Sequence, residues 1–216
     1  AGAPIFYSWP SQGSVSSYTI DENNAQWTVA HLKKFLTQVA EQSGAERVNL
    51  IAHSMGNRAL TRALQALSYR AAADRPTFHN VILTAPDIDA EVFRRDIAPR
   101  IVNTARRVTL YASSNDKALA YSKSVHGFPR AGDSGRDLLV IPGIDTIDVS
   151  AINKSLLGHS YYGSNDTVLA DLNELLHDGR PPERRTWLRP QMLGEQRYWV
   201  FEPRAATAAL PGAAGG

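Results

Sequence analysis

The chain has 216 residues, 43% of them hydrophobic, a formal net charge of +2 and no cysteine, a composition that suits one α/β domain with a substantial core. Acidic and basic residues are interspersed, so the one-signed field that draws nucleic acid is missing and nucleic acid is excluded as the expected partner. The absence of thiols excludes disulfide scaffolds, cysteine nucleophiles and cysteine zinc sites.

No apolar run approaches the roughly 18 residues of a spanning helix, and the opening Ala1-Gly2-Ala3-Pro4-Ile5-Phe6-Tyr7 lacks the charged and apolar regions of a signal peptide. No integral membrane segment is therefore expected. Short apolar runs alternate with longer segments of helical period, the signature of a mostly parallel sheet with helices on both faces. Residues 5–9, rich in aromatic and β-branched side chains, are expected as a strand, stopped by Pro10 and the Ser/Gly loop 11–17. Residues 21–42 repeat apolar side chains at three and four and are expected as a helix ended by Gly44.

Residues 48–52 read as the next strand, followed directly by a helix that begins at or just after Ser54. Met55, Ala59, Leu60, Ala63, Leu64 and Leu67 fall on one face of it, and Arg58, Arg62 and Gln65 on another. Residues 80–85 and 107–112 are expected as strands ended by Pro86-Asp87 and by Ser113-Ser114-Asn115-Asp116. Residues 138–141 and 144–149 form the last strand region, bent at Pro142-Gly143, and residues 165–177 the last helix. A core over 1–178, partial at its start, is thus followed by an appendage and flexible tail over 179–216, where Trp187, Tyr198, Trp199 and Phe201 pack before a frayed end.

The segment Ala52-His53-Ser54-Met55-Gly56 sits at the strand-to-helix junction. A serine hydroxyl is a poor nucleophile unless it is presented beside a base and away from neighbouring backbone. A Gly-x-Ser-x-Gly elbow does this by placing the serine on a strained turn, with small residues two before and two after it to keep strand and helix from colliding. Ala52 replaces the first glycine and is still small. The helix start supplies free N–H groups, of which the Met55 N–H is the expected oxyanion donor. A phosphate loop in this place would want several glycines, and this turn has one.

In a parallel sheet the partners of Ser54 belong on loops that leave the carboxyl ends of strands. His79 and His126 precede strands and are expected at the opposite edge. His31 lies within the first helix, His177 closes the last, and His53 sits inside the elbow. His159 alone stands in a loop after the final strand, flanked by Gly158 and Gly163, and is the expected base. For the acid, Asp116 is preferred to Asp87 because the usual chain order is serine, acid, histidine, with the acid most often on a later strand. Asp87 and Asp89 read as caps of the helix through Val92 and Phe93, and Asp145 and Asp148 as strand-end or surface residues. No His-Glu-x-x-His pattern occurs, so neither metal nor cofactor is expected.

With these residues placed, the sequence resembles a bacterial branch of the α/β-hydrolase superfamily carried under a domain-of-unknown-function label and described as esterase- or lipase-like. The resemblance covers about residues 5–162 and rests on Phe6-Tyr7-Ser8-Trp9-Pro10-Ser11, Leu50 to Arg58, Ala85-Pro86-Asp87, Leu110 to Asp116, Gly143 to Asp148 and Gly158-His159-Ser160-Tyr161. It implies Ser54 as nucleophile, Asp116 as acid and His159 as base, acting on a small-molecule carboxylic ester, with no cofactor. Thioesterase, amidase or peptidase chemistry on the same triad, and a binding module that keeps the fold without turnover, are the alternatives. Members of the branch look to carry, upstream of the Ser-Trp-Pro strand, further strands and a His-Gly loop that gives the second oxyanion donor. The resemblance thus implies a chain lacking its first strands, its exposed sheet edge covered by a second copy or by the missing segment, and a weaker esterase than one with that segment restored. The compartment stays undecided between the bacterial cytoplasm and a secreted or periplasmic site.

Overall fold

A computed structural model describes residues 2–69, 77–152 and 166–201. Within them six strands, β1 (Asn49–His53), β2 (Phe78–Thr84), β3 (Ala105–Ala112), β4 (Ile144–Asp148), β5 (Leu188–Leu193) and β6 (Gln196–Phe201), form one sheet in the order β1-β2-β3-β4-β6-β5. Neighbours run parallel except β5, which returns antiparallel along β6. The mostly parallel α/β sheet read from the alternation of elements is the observed one. His53, Thr84, Tyr111 and Ile147 lie side by side across it, so the loops after these residues gather at one edge.

The helices are α1 (Tyr18–Gln42), α2 (Gly56–Ser68), α3 (Ala90–Val92), α4 (Ala98–Ile101), α5 (Lys117–His126) and α6 (Asp166–Asp178), with a π turn over Phe93–Ile97 joining α3 to α4. That wide turn has a local cause: Pro99 has no N–H to return to the preceding turn, and the ladder loosens just ahead of it. Gly44, at φ +65°, turns the chain out of α1.

The sheet is buried on both faces. Val81, Leu83, Val108 and Leu110 meet Leu32 and Leu36 of α1 and Ala59, Leu60, Ala63 and Leu64 of α2. Ile82, Tyr111 and Ile147 meet Leu119 of α5 and Val168, Leu172 and Leu175 of α6 on the other side. A strand covered twice reads as a continuous apolar run, which is why β2 and β3 stand out in the sequence. Each buried Val, Leu or Ile among them contributes roughly 1.5–3 kcal/mol by leaving water.

Three expectations are corrected. Residues 5–9 form no strand: Tyr7 lies over α1, its ring 5.4 Å from Phe35 and its hydroxyl 3.2 Å from Thr28 Oγ1, while Ile5 and Phe6 are 65% and 93% exposed. Their aromatic and β-branched composition is a strand's, but strand formation needs a paired neighbour, and the packing of Tyr7 draws the segment onto a helix instead. Residues 138–141 are irregular as well, because Gly143 turns back at φ +85° and Thr146 Oγ1 donates to the Leu139 carbonyl at 2.8 Å, folding the segment over β4. Finally, the stretch expected as an appendage continues the sheet. Ile147 and Asp148 pair with Trp199 and Val200 of β6, and Trp199 and Phe201 enter the core with Leu172 and Leu175.

Beneath that junction lies a buried ion pair. Arg185 Nη1 donates to Asp171 Oδ2 at 3.0 Å and the Tyr111 hydroxyl donates to the same oxygen at 2.6 Å, with the Arg185 and Asp171 side chains fully buried. Burial raises the Asp171 carboxyl above its ordinary value despite the opposing Arg185 charge, and raises the Tyr111 hydroxyl too.

Candidate active site

Ser54 directly follows β1 and carries φ +49°. Among the described residues one other non-glycine has positive φ, Ala85 at +45°, just after β2. For a residue with a Cβ the left-handed region is unfavourable and must be imposed by its surroundings. The imposing bonds are visible: Ser54 N–H donates to the Thr84 carbonyl at 3.0 Å, and the Ser54 carbonyl accepts from Asn57 N–H at 3.1 Å and Asp87 N–H at 3.3 Å. Asn57, fully buried, donates through Nδ2 to the Ser54 and Thr84 carbonyls, both at 3.0 Å. The turn is held to the neighbouring strand from both sides.

The Met55 side chain is buried, while its N–H lies at the start of α2, where amides have no intrahelical acceptor. One expected reason for the motif does not hold. A Cβ built on Gly56 meets nothing within 4 Å, so that glycine is not demanded by crowding.

Asp116 follows β3, is buried, and caps α5: its Oδ1 accepts from the N–H groups of Ala118 and Leu119, both at 3.0 Å. Ser54 and Asp116 thus leave the same edge of the sheet, from strands separated by β2. His159, with Gly158 and Gly163, lies outside the described residues.

Of the remaining acids, Asp89 is the helix cap expected of it, accepting from Val92 N–H at 2.9 Å. Asp87 is not a cap. Its carboxylate takes hydrogen bonds from Tyr18, Ser122 and Arg130 and faces Arg58. Burial alone would raise the Asp87 carboxyl, but Arg58, Ser122, Tyr18 and Arg130 together hold it below the ordinary carboxylate range. Burial, and next the bond to Asp87, push the Tyr18 hydroxyl well above its usual value. Asp145 pairs with Arg107, and Asp148 holds the turn after β4 through Ser150.

The placement of His126 is also corrected. It ends α5, yet its Nε2 lies 2.8 Å from Glu22 Oε1 near the start of α1, and its ring stands 5.7 Å from Tyr18. The helix does not cross back to the far edge of the sheet. It lies over the carboxyl edge, and the return is left to residues 127–141. Both ring nitrogens face acceptors, Glu22 and the Ser122 carbonyl. His79, the second residue of β2, is at the far edge as expected.

Sequence reading missed Tyr18, Arg58, Ser122 and Arg130. In the sequence Arg58 falls with Arg62 and Gln65 on the face of α2 opposite its apolar one, and no spacing rule joins residues on four separate elements. Among the described residues no group of three or more His, Asp or Glu side chains is placed to hold a metal ion.

Comparison with protein families matches residues 1–177 to alpha/beta hydrolases of unknown function, DUF900. The chain belongs to the DUF900 family. That family match covers the described elements from α1 to β4 and all but the last residue of α6, and it agrees with the mostly parallel sheet. Neither curated proteins nor solved structures give a match. No helix among the described residues is long and apolar enough to cross a membrane.

Proposed function

We infer that this DUF900 member is a serine hydrolase of carboxylic esters, with Ser54 as nucleophile, His159 as base, Asp116 as the acid that orients His159, and the Met55 N–H as an oxyanion donor. The observation that carries the reading is Ser54 at φ +49° between β1 and α2. Strain of this kind persists only where surrounding structure enforces it, and it clusters at working sites. At an elbow it lifts the hydroxyl clear of the backbone, toward loops from the carboxyl ends of β2, β3 and β4.

In this scheme Ser54 Oγ attacks the ester carbonyl while His159 takes its proton, and the carbonyl oxygen becomes an oxyanion facing the Met55 N–H. Collapse expels the alcohol, which receives the proton from His159 and leaves an acyl group on Ser54. Water then enters by the same route, deprotonated by His159, and releases the acid.

An active-site-directed fluorophosphonate tests this, because covalent capture needs an activated serine. The expected result is one label on Ser54, absent in Ser54→Ala and strongly reduced in His159→Ala, together with turnover of nitrophenyl esters. An unlabelled, folded wild-type chain would leave a binding module that keeps the hydrolase fold. Turnover of thioesters or amides in preference to esters would move the substrate class while keeping the triad.

A further inference from the structure

One carboxylate reaches four segments around the Ser54 turn. Asp87 is 2% exposed. Its Oδ1 accepts from Ser122 Oγ at 2.5 Å and Arg130 Nε at 2.9 Å. Its Oδ2 accepts from the Tyr18 hydroxyl and lies 3.4 Å from Arg58 Nη2. Those partners belong to α5, the loop after it, α1 and α2. In the main chain Asp87 N–H donates to the Ser54 carbonyl at 3.3 Å, and Arg58 Nε donates to the Asp87 carbonyl at 2.5 Å.

The loop that brings Arg130 is pressed onto the same place. Gly132 N–H donates to the Pro86 carbonyl at 2.9 Å, Ala131 N–H to Ile88 at 2.7 Å, and Ser113 N–H to Gly132 at 2.9 Å. A Cβ on Gly132 would stand 2.8 Å from the Ala85 carbonyl carbon and the Pro86 nitrogen, so a side chain there would force the backbone apart. Ser113 lies three residues before Asp116. The exit of β2 is thus the common floor of the Ser54 turn and the Asp116 loop.

We propose that Asp87 is a positioning residue of the hydrolytic site, its carboxylate clamping α5, which Asp116 caps, and the 130–132 segment against the turn that carries Ser54. This rests on the reading of Ser54 as nucleophile. Among the described residues the carboxylate accepts from the Tyr18 and Ser122 hydroxyls and the Arg130 guanidinium, and the Arg58 guanidinium faces it as a second cation. Three donors and a further guanidinium charge around two oxygens match an ionised carboxylate and leave it committed to them, which sets Asp87 apart from an acid that must face an imidazole. An amide would turn an NH2 group toward some of these donors and strand the Arg130 charge, whose side chain is 3% exposed. The consequence is a loosened register between nucleophile turn and acid loop, and misplacement by about 1 Å is enough to cost about 10²-fold in rate.

The test uses the full chain, a fluorophosphonate probe and nitrophenyl acetate. In folded Asp87→Asn the probe should label Ser54 to the wild-type endpoint but about 10- to 100-fold more slowly, with kcat reduced and KM little changed. The double variant Asp87→Asn, Arg130→Gln, which removes both charges and keeps hydrogen-bonding groups, should recover part of that rate. Labelling of Asp87→Asn at the wild-type rate would overturn the clamp. So would a loss near about 10⁴-fold with Asp116→Asn almost unaffected, since Asp87 would then be the triad acid. Should Asp87→Asn not fold, Ser122→Ala and Tyr18→Phe each remove one donor and should each slow labelling several-fold, and wild-type rates in both would overturn the proposal. An unlabelled wild-type chain removes the nucleophile reading itself, a different result from a labelled chain indifferent to position 87.

Discussion

The side-chain amide of Asn57 donates to the carbonyl of Ser54, three residues back, at 3.0 Å, and to Thr84 on the next strand at the same distance. One buried side chain therefore holds both the first turn of α2 and the seam between β1 and β2. Asn57→Ala should lower unfolding stability by about 1–3 kcal/mol, the net worth of two hydrogen bonds to carbonyls that keep their backbone donors, measurable by urea titration. A change under a few tenths of that would mean water takes over both bonds.

The strain at Ser54 predicts an inversion of the usual glycine penalty. At φ +49° an added Cβ is unfavourable, so Ser54→Gly should be more stable than Ser54→Ala by about 1 kcal/mol. Both variants lack the hydroxyl, so the comparison isolates the backbone. Ala more stable than Gly would show that the turn relaxes to negative φ, and the elbow geometry would lose its support.

Asp116 offers a clean separation of chemistry from capping. Asparagine caps helices about as well as aspartate, so Asp116→Asn should keep the α5 cap and the unfolding midpoint. As the triad acid its loss should cut ester turnover by roughly 10⁴-fold through the wrong imidazole tautomer. A nearly active Asp116→Asn would move the acid elsewhere.

Much of this site is legible in the sequence because its parts are local. Residues 48–52 and the one-sided apolar face of α2 bracket Ser54, and Asp89 sits three residues before the amide it caps. The rest depends on contacts that join distant segments. The aromatic run at 5–9 has a strand's pattern, but Tyr7 is drawn onto α1 by Phe35 and Thr28. The place of His126 before a strand points to the far edge, a rule that fails when a helix lies across the carboxyl edge. Trp199 and Phe201 gave an apolar signal without a partner, and only the pairing of β6 with β4 makes it part of the core. Asp87 looked like a second cap because its donors lie between 29 and 69 residues away in sequence.

The junction of sheet and C-terminal hairpin should be sensitive to single loss and tolerant of paired replacement. Arg185 and Asp171 have no exposed side-chain surface, so Arg185→Met leaves an unpaired buried carboxylate and should cost about 3–5 kcal/mol. The double variant Arg185→Met, Asp171→Leu should recover most of that. Thermal unfolding decides it: equal losses in single and double variants would mean that the pair is not coupled.

The acid sensitivity of the fold should trace to two buried carboxylates. Burial tends to raise both, but Arg58, Ser122, Tyr18 and Arg130 hold Asp87 below its ordinary value, and the amides and side chains of 11–13 with Asn24 do the same for Asp21. A carboxyl depressed in the fold is ionised there while its unfolded counterpart, at about 3.9, begins to bind a proton. Its stabilisation is therefore fully present above about pH 5 and fades as pH falls through the folded value. Wild type should exceed Asp87→Asn in urea midpoint at pH 7, with the gap narrowing steadily below about pH 4. Asp21→Asn should behave likewise, by a smaller amount, since its partners are hydroxyl, amide and backbone groups without a cation. A gap for Asp87→Asn that is as wide at pH 3 as at pH 7 would show that the carboxylate is not held ionised by its two arginines, and that its hydrogen bonds alone carry the effect.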